Sequence, residues 1–141
     1  MIKIAGMWEQ GWNAPLIEAN YWEMLLRDFG VEHLCMAPVS GLAPRSKIKL
    51  FEKDTMEEIL EANSELIKVW VDERGETELS EFEHPESAIY IFCSVGPNIF
   101  HLKKPEDKSL YIKTVSPREQ ATMFAIEACG IVLYDRFCKE K

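Results

Sequence analysis

The residues in this chain that could do chemistry are few and scattered. No G-x-G-x-x-G and no Walker-type glycine loop occurs, so neither nucleotide fingerprint is present. Ser94, Ser116 and the three histidines stand in no nucleophile pattern, and a Ser-His-Asp reading has nothing to rest on. Cys35, Cys93, Cys129 and Cys138 form no C-x-x-C, and no histidine stands at metal-ligand spacing. Three of them fall in apolar runs, where free cysteine behaves as a small buried hydrophobe. That usage fits a reducing compartment and asks for no metal. Glu23 and Arg27 stand at i, i+4, the spacing of an ordinary surface pair, with a catalytic Arg27 as the alternative. Glu127 sits among Ile126, Ala128 and Cys129, where an unpaired carboxylate would be costly, so it should pair across a subunit seam or with a ligand. Gly130 suggests a close backbone approach, since glycine in mid-helix costs up to about 1 kcal/mol relative to alanine. Trp8, Trp12, Tyr21 and Trp22 cluster early; core packing is the default reading and base stacking the alternative.

The elements that must position these residues can be read from pattern. With 141 residues, of which 47% are hydrophobic, the sequence describes one globular domain with a sizeable core. A net charge of −8 argues against non-specific nucleic-acid binding. Local basic runs remain at Arg45–Lys49, His101–Lys104 and Arg136–Lys139. No leader and no long uncharged apolar stretch is evident, so the expectation is a soluble cytoplasmic protein without a membrane span.

Ile2–Trp8, Val31–Ala37, Ile48–Glu52, Lys68–Glu73, Ala88–Val95 and Leu110–Val115 read as strands. A helix capped by Asn13 runs to Gly30, and a second opens at the Thr55/Glu58 capping box. The last begins, on this reading, at Ser116-Pro117-Arg118-Glu119, with Ser116 as N-cap, Pro117 at the first helical position and Glu119 closing a capping box. From Ala121 to Tyr134 only Thr122, Glu127 and Gly130 interrupt its apolar residues, so it should be covered on every side, which in a chain this short favours a second subunit. Strands alternating with helices, written as near-continuous apolar runs, predict an α/β domain with a mainly parallel sheet. Ligands bind such sheets at the carboxyl ends of the strands, which directs attention to Glu9–Pro15, Val39–Ser46, Ser94–Asn98 and Thr114–Gln120.

Three segments together give a family resemblance that spans essentially the whole chain. They are Leu16–Pro38, which pairs a helix ending in Phe29-Gly30 with a strand closed by proline; His84–Phe92; and Tyr111–Phe137, with Ile112-Lys113-Thr114 and Ile131–Phe137. They resemble the SPOUT (α/β-knot) methyltransferases, in particular the SpoU-like branch that methylates ribose 2′-hydroxyls of RNA. The resemblance implies a C-terminal trefoil knot, S-adenosylmethionine as cofactor, a homodimer packed through the first and last helices, and structured RNA (tRNA or rRNA) as partner. It implies cofactor contacts from Phe92, Cys93, Ser94, Gly96, Pro97, Ile112, Thr114, Gln120 and Thr122, with Arg27 and Asn13 nearest the reacting hydroxyl.

The chain departs from the family pattern where the polar residues should be. Counting back from Gly30, the family's arginine falls on Met24 and its asparagine on Glu18. Cys93-Ser94-Val95 stands in place of Gly-Ser/Pro-Glu, and Phe124 in place of the last asparagine. The scaffold is kept while the catalytic side chains are largely replaced. Three readings follow: an adenosylmethionine-binding methyltransferase homologue, a catalytically inactive dimeric knot acting as an interaction scaffold, and a flavodoxin-like domain with an unrelated ligand.

Overall fold

The computed structural model describes residues 1–9, 15–41, 48–93, 99–115 and 123–140. Among these, seven strands form one all-parallel sheet: β1 (Ile2–Met7), β2 (His33–Ala37), β3 (Lys49–Glu52), β4 (Ile67–Val71), β5 (Thr77–Glu78), β6 (Ala88–Phe92) and β7 (Lys108–Tyr111). Their order across the sheet is β3-β2-β1-β6-β4-β7-β5. Three helices accompany them: α1 (Pro15–Asp28), α2 (Met56–Ala62) and α3 (Ala125–Lys139). The α/β class with a mainly parallel sheet is therefore as expected.

The layers follow from the two-residue period of the strands. On one face Ala88, Tyr90 and Phe92 of β6, with Ile4, Val69 and Leu110, pack under Trp22 and Leu26 of α1 and Cys129, Val132 and Leu133 of α3. On the other, Ile89, Ile91 and Cys93, with Ala5, Cys35 and Trp70, pack under Met56 and Ile59 of α2. β6 is thus buried on both sides along its whole length, which is why Ala88–Phe92 reads as an unbroken apolar run. Trp8 and Trp22 are core residues, whereas Tyr21 is exposed and Trp12 lies outside the described residues.

Local signals set most boundaries. Gly30 takes φ +69° after α1, a left-handed conformation open to glycine at little cost. Thr55 caps α2, its side-chain oxygen accepting from the Glu58 backbone N–H at 3.3 Å. Two expectations near the carboxyl end need correction. The last strand covers Lys108–Tyr111 rather than Leu110–Val115, because its outer neighbour β5 is only two residues long and leaves nothing to pair with beyond Tyr111. The last helix begins at Ala125, so Ser116 is not its N-cap. Instead the Glu127 carboxylate accepts from the Phe124 backbone N–H at 2.9 Å, satisfying a helix-end donor from within the helix. Glu127 is exposed, and its contact is a local one at its own helix entrance rather than the subunit-seam or ligand contact expected of it. Within this one chain α3 is covered on one side: Ala125, Cys129, Val132 and Leu133 are buried, while Ile131, Tyr134 and Phe137 are exposed. At Gly130 no backbone comes close; an added methyl would meet only the Leu25 side chain, at 3.5 Å.

The stretch between β4 and β6 carries β5 and a 3-10 turn at Leu79–Glu81, with Leu79 and Phe82 in the core. Between β4 and β5 the chain passes tightly over β7. The Asp72 N–H donates to Leu110 O at 3.1 Å and the Gly75 N–H to Asp72 O at 2.9 Å.

Candidate functional site

The carboxyl ends of β4, β6 and β7 converge on the start of α3, and a cleft of about 50 Å³ opens between them. Val71, Asp72 and Glu73 line it from β4 and its exit, and Cys93 from the end of β6. Ile112 and Thr114 follow β7, and Met123 and Ala128 close the side formed by α3. Its position obeys the rule for open parallel sheets, in which ligands sit beyond the strands' carboxyl ends.

Its polar groups are largely committed to holding the loop. Asp72 is buried and bound by Arg74 in a fork: Nε donates to Oδ1 at 2.7 Å and Nη2 to Oδ2 at 3.0 Å. The Arg74 backbone N–H adds a third bond to Oδ1 at 3.0 Å. The guanidinium also lies 4.7 Å over the Phe100 ring. Hydrogen bonding to Asp72 raises the Arg74 pKa. The Cys93 thiol is pushed well above the usual thiol range, by burial first and by the Asp72 charge second. It is therefore a neutral wall and not a nucleophile. Glu73 presents an exposed carboxylate at the rim.

Of the residues expected at a cofactor site, Cys93, Ile112 and Thr114 come together in this cleft. Phe92 does not line it; its ring is 1% exposed and belongs to the core beneath α1 and α3. Ser94, Gly96, Pro97, Gln120 and Thr122 lie outside the described residues, as does Asn13. Arg27 is exposed in the last turn of α1. Because α1 joins parallel β1 and β2, it runs back toward the amino ends of the strands. At 1.5 Å per residue Arg27 stands about 18 Å along the helix from Pro15. The cleft is therefore out of its reach.

Pattern reading missed Asp72, Glu73, Met123 and Ala128. Asp72 and Glu73 were legible as the acidic pair ending a strand, and only the pairing of that strand with β6 and β7 gives them meaning. Glu18, at the position of the family's asparagine, is 1% exposed. It accepts from the Glu9 backbone N–H at 2.7 Å and from Trp22 Nε1 at 3.0 Å, tying the exit of β1 to α1. Burial dominates and raises its pKa. Met24, at the position of the family's arginine, is 56% exposed on α1.

A second polar cluster lies between α3 and the segment before β6. The His84 side chain is 5% exposed; its Nδ1 is 2.8 Å from Tyr90 OH and its Nε2 2.8 Å from Asp135 Oδ2. Arg136 donates to Tyr90 OH at 3.1 Å and to Pro85 O at 2.7 Å, and Lys139 to Leu79 O and Phe82 O. Burial lowers the His84 pKa and outweighs the opposing pull of Asp135. Burial also works against the Asp135 carboxylate, yet the bonds from His84 and Lys139 together hold its pKa below the usual range. The consistent assignment is neutral His84, with Nε2–H donating to Asp135 and Nδ1 accepting from Tyr90. The described residues contain no group of three or more His, Cys, Asp or Glu that could hold a metal ion. No helix among them is long and apolar enough to cross a membrane.

No protein-family model and no curated protein matches the sequence. Solved structures do match. A candidate RNA methyltransferase from Bacillus anthracis superposes with a TM-score of 0.71 at 16% identity, over 99% of this chain and 94% of that one. A protein whose structure addresses 2-OH methylation of C/U34 on tRNA gives 0.70 at 18% identity, over 99% and 96%. The SpoU methyltransferase AviRb from Streptomyces viridochromogenes, in complex with AdoMet, gives 0.65 at 14% identity, over 99% of this chain and 57% of that one. The fold of this chain is that of the SpoU/TrmH RNA methyltransferases of the SPOUT class.

Proposed function

We infer that this chain is an S-adenosylmethionine-binding homologue of the RNA ribose 2′-O-methyltransferases, a cytoplasmic homodimer with a C-terminal trefoil knot and a structured tRNA or rRNA as its partner. The observation that carries this reading is the cleft at the carboxyl ends of β4, β6 and β7, in a fold shared over 99% of the chain with such enzymes. Its chemistry suits the ligand. Val71, Ile112, Met123 and Ala128 offer apolar walls to an adenine ring, and Glu73 offers a carboxylate to a cationic sulfonium. The described lining encloses less space than the whole cofactor fills, so Ser94, Gly96, Pro97, Gln120 and Thr122 are proposed to complete the site.

The bound cofactor would supply an electrophilic methyl group, leaving the protein to orient and deprotonate the accepting hydroxyl. Asn13 and Arg27 are the residues proposed for that task. Given the distance along α1, Arg27 can serve only the cleft of a second copy. A homodimer is supported by the exposed apolar residues Ile17, Tyr21 and Met24 on α1, continued by Ile131 and Tyr134 on α3. The Met24→Glu/Tyr134→Glu variant is expected to sediment as a folded monomer where the parent chain is a dimer. A parent chain that is itself monomeric at high micromolar concentration would remove the dimer from this reading.

A second reading, an inactive dimeric scaffold, is favoured by one specific observation: methionine and a fully engaged glutamate occupy the positions of the family's arginine and asparagine. Calorimetric titration with S-adenosylmethionine and S-adenosylhomocysteine separates the two. Micromolar binding that disappears in Ala128→Trp, with the melting profile preserved, supports the cofactor site. Absence of binding at millimolar cofactor leaves the scaffold as the better account.

A further inference from the structure

At the opposite edge of the sheet lies a feature that cofactor binding does not use. Lys3 of β1 pairs in register with His33 of β2, and His33 with Lys49 of β3. Register neighbours on parallel strands point to the same side, about 4.8 Å apart. Three nitrogen-bearing side chains therefore stand in a row across three strands at their amino ends, on the face covered by α2. They open into a cleft of about 350 Å³ with Cys35, Phe51 and Asn63 on its walls.

The two lysines flank the imidazole, and little in the row offsets their charge. Lys3 Nζ donates to Asn63 Oδ1 at 2.7 Å, a neutral acceptor. Asn63 is 2% exposed and fixed by its own bond from Nδ2 to Ile59 O at 2.8 Å. Lys49 approaches Glu32 at 3.7 Å, with both side chains about 70% exposed, a pair that contributes little. Among the described residues lining the cleft there is no carboxylate. In a chain of net charge −8 such a local excess of cationic groups is unusual. The groups facing His33 are Lys3, Lys49 and Glu32. After burial, the two lysines are the chief causes that lower its pKa, and Glu32 opposes them weakly.

We propose that the cleft formed by Lys3, His33, Lys49 and Asn63 binds a phosphate group. Lysine ammonium groups suit a phosphate as point charges, and the outer two are about 10 Å apart at the backbone, with flexible stems that can close on a tetrahedral anion between them. A bound phosphate would also favour the charged form of His33, so the imidazole should titrate at higher pH in the complex than in the free protein. The proposal is independent of the cofactor reading, whose cleft lies at the other ends of the strands.

The source of the phosphate, a free phosphomonoester or a phosphodiester of an RNA backbone, is decided by the probe. The test follows backbone and imidazole NMR resonances of the full chain while inorganic phosphate, uridine 5′-monophosphate or a short RNA without terminal phosphates is added at two pH values. The expected result is saturable shifts at Lys3, His33, Lys49 and Asn63, a raised His33 pKa, and affinity at least about tenfold weaker in Lys49→Glu, an exposed substitution. His33→Gln should retain binding but lose the part of its pH dependence that the uncharged-to-charged change of the imidazole supplies, leaving that of the ligand's own titration. Saturation by inorganic phosphate and the monoester alone assigns a free phosphate; tighter saturation by the RNA assigns the backbone. Absence of shifts at His33 with every probe up to tens of millimolar, or unchanged affinity in Lys49→Glu, overturns the proposal.

Discussion

Replacing Gly75 by alanine tests the passage of the chain over β7. A methyl group built there would overlap the carbonyl carbon and oxygen of Leu110 and lie 2.8 Å from its Cα. All three obstacles are main-chain atoms of a strand paired on both sides, with Val71 on β4 and Thr77 on β5, so no flexible side chain can yield. The loop must therefore rise off β7. Overpacking of this kind costs about 1–3 kcal/mol. Lifting the loop also strains the bonds from Gly75 N to Asp72 O and from Asp72 N to Leu110 O, each contributing about 1 kcal/mol. The expected loss is about 3–5 kcal/mol, a large share of the stability of a domain this size. With a urea dependence of about 1.5 kcal/mol/M, the midpoint should fall by about 2–3 M. Urea unfolding followed by tryptophan fluorescence reads this directly. A midpoint within about 0.5 M of the parent chain would refute the claim that Gly75 is required by the approach to Leu110.

Two further outcomes follow from the same physical terms. Gly130→Ala should stabilise the protein by about 0.5–1 kcal/mol, since alanine is the better helix former and its methyl meets Leu25 at ordinary contact distance; a loss of stability in urea unfolding would contradict this. His84 has a lowered pKa in the fold, so as pH falls the unfolded chain takes up its proton first, and unfolding free energy drops as pH passes down through about 6.5. His33 titrates in the same direction. The His84 share is isolated by His84→Gln, expected to be less stable at pH 7 by about 2 kcal/mol and to show a shallower slope between about pH 7 and pH 5. Equal slopes in the two proteins would contradict the assignment of a buried neutral imidazole.

What could be read from sequence was what local physics decides. The unbroken apolar run at Ala88–Phe92 required a strand covered on both faces, and Gly30 and the Thr55/Glu58 pair required helix ends. The start of α3 was misplaced because Ser116-Pro117-Arg118-Glu119 satisfies every local rule for a helix entrance, while the donor that needed satisfying belonged to Phe124 and was met by Glu127. Local propensity cannot tell two competing caps apart when the helix's position is set by packing against β6 and α1. Gly75 was invisible for a different reason. In Asp72-Glu73-Arg74-Gly75-Glu76 it reads as an ordinary turn glycine, and only the pairing of β7 between β4 and β5 puts a backbone beneath it. The cleft was half legible. Cys93, Ile112 and Thr114 follow apolar strands, as binding residues of a parallel sheet should, whereas Met123 and Ala128 reach it only because α3 packs back over the sheet.

The polar side chains that most resemble catalytic machinery hold the fold together instead. His84 and Asp135 have the distance and geometry of a base and its orienting acid, yet the other imidazole nitrogen faces Tyr90, and Arg136 and Lys139 bind the same segment. An open cleft of about 600 Å³ is lined in part by His84, but the imidazole is only 5% exposed and both its nitrogens are engaged; the unit latches the end of α3 to the chain before β6. Glu18 and Asp72 are likewise saturated by backbone and side-chain donors within the fold. Glu18 accepts two such bonds and Asp72 three, so a proton taken from a substrate would compete with the donors that hold the chain in place. Among the described residues, removing these engaged groups leaves an apolar cleft with an acidic rim at the carboxyl ends of the strands, and two lysines flanking His33 at the amino ends. Both are suited to binding, and the groups there that can exchange a proton, the Glu73 carboxylate and the His33 imidazole, stand in different clefts.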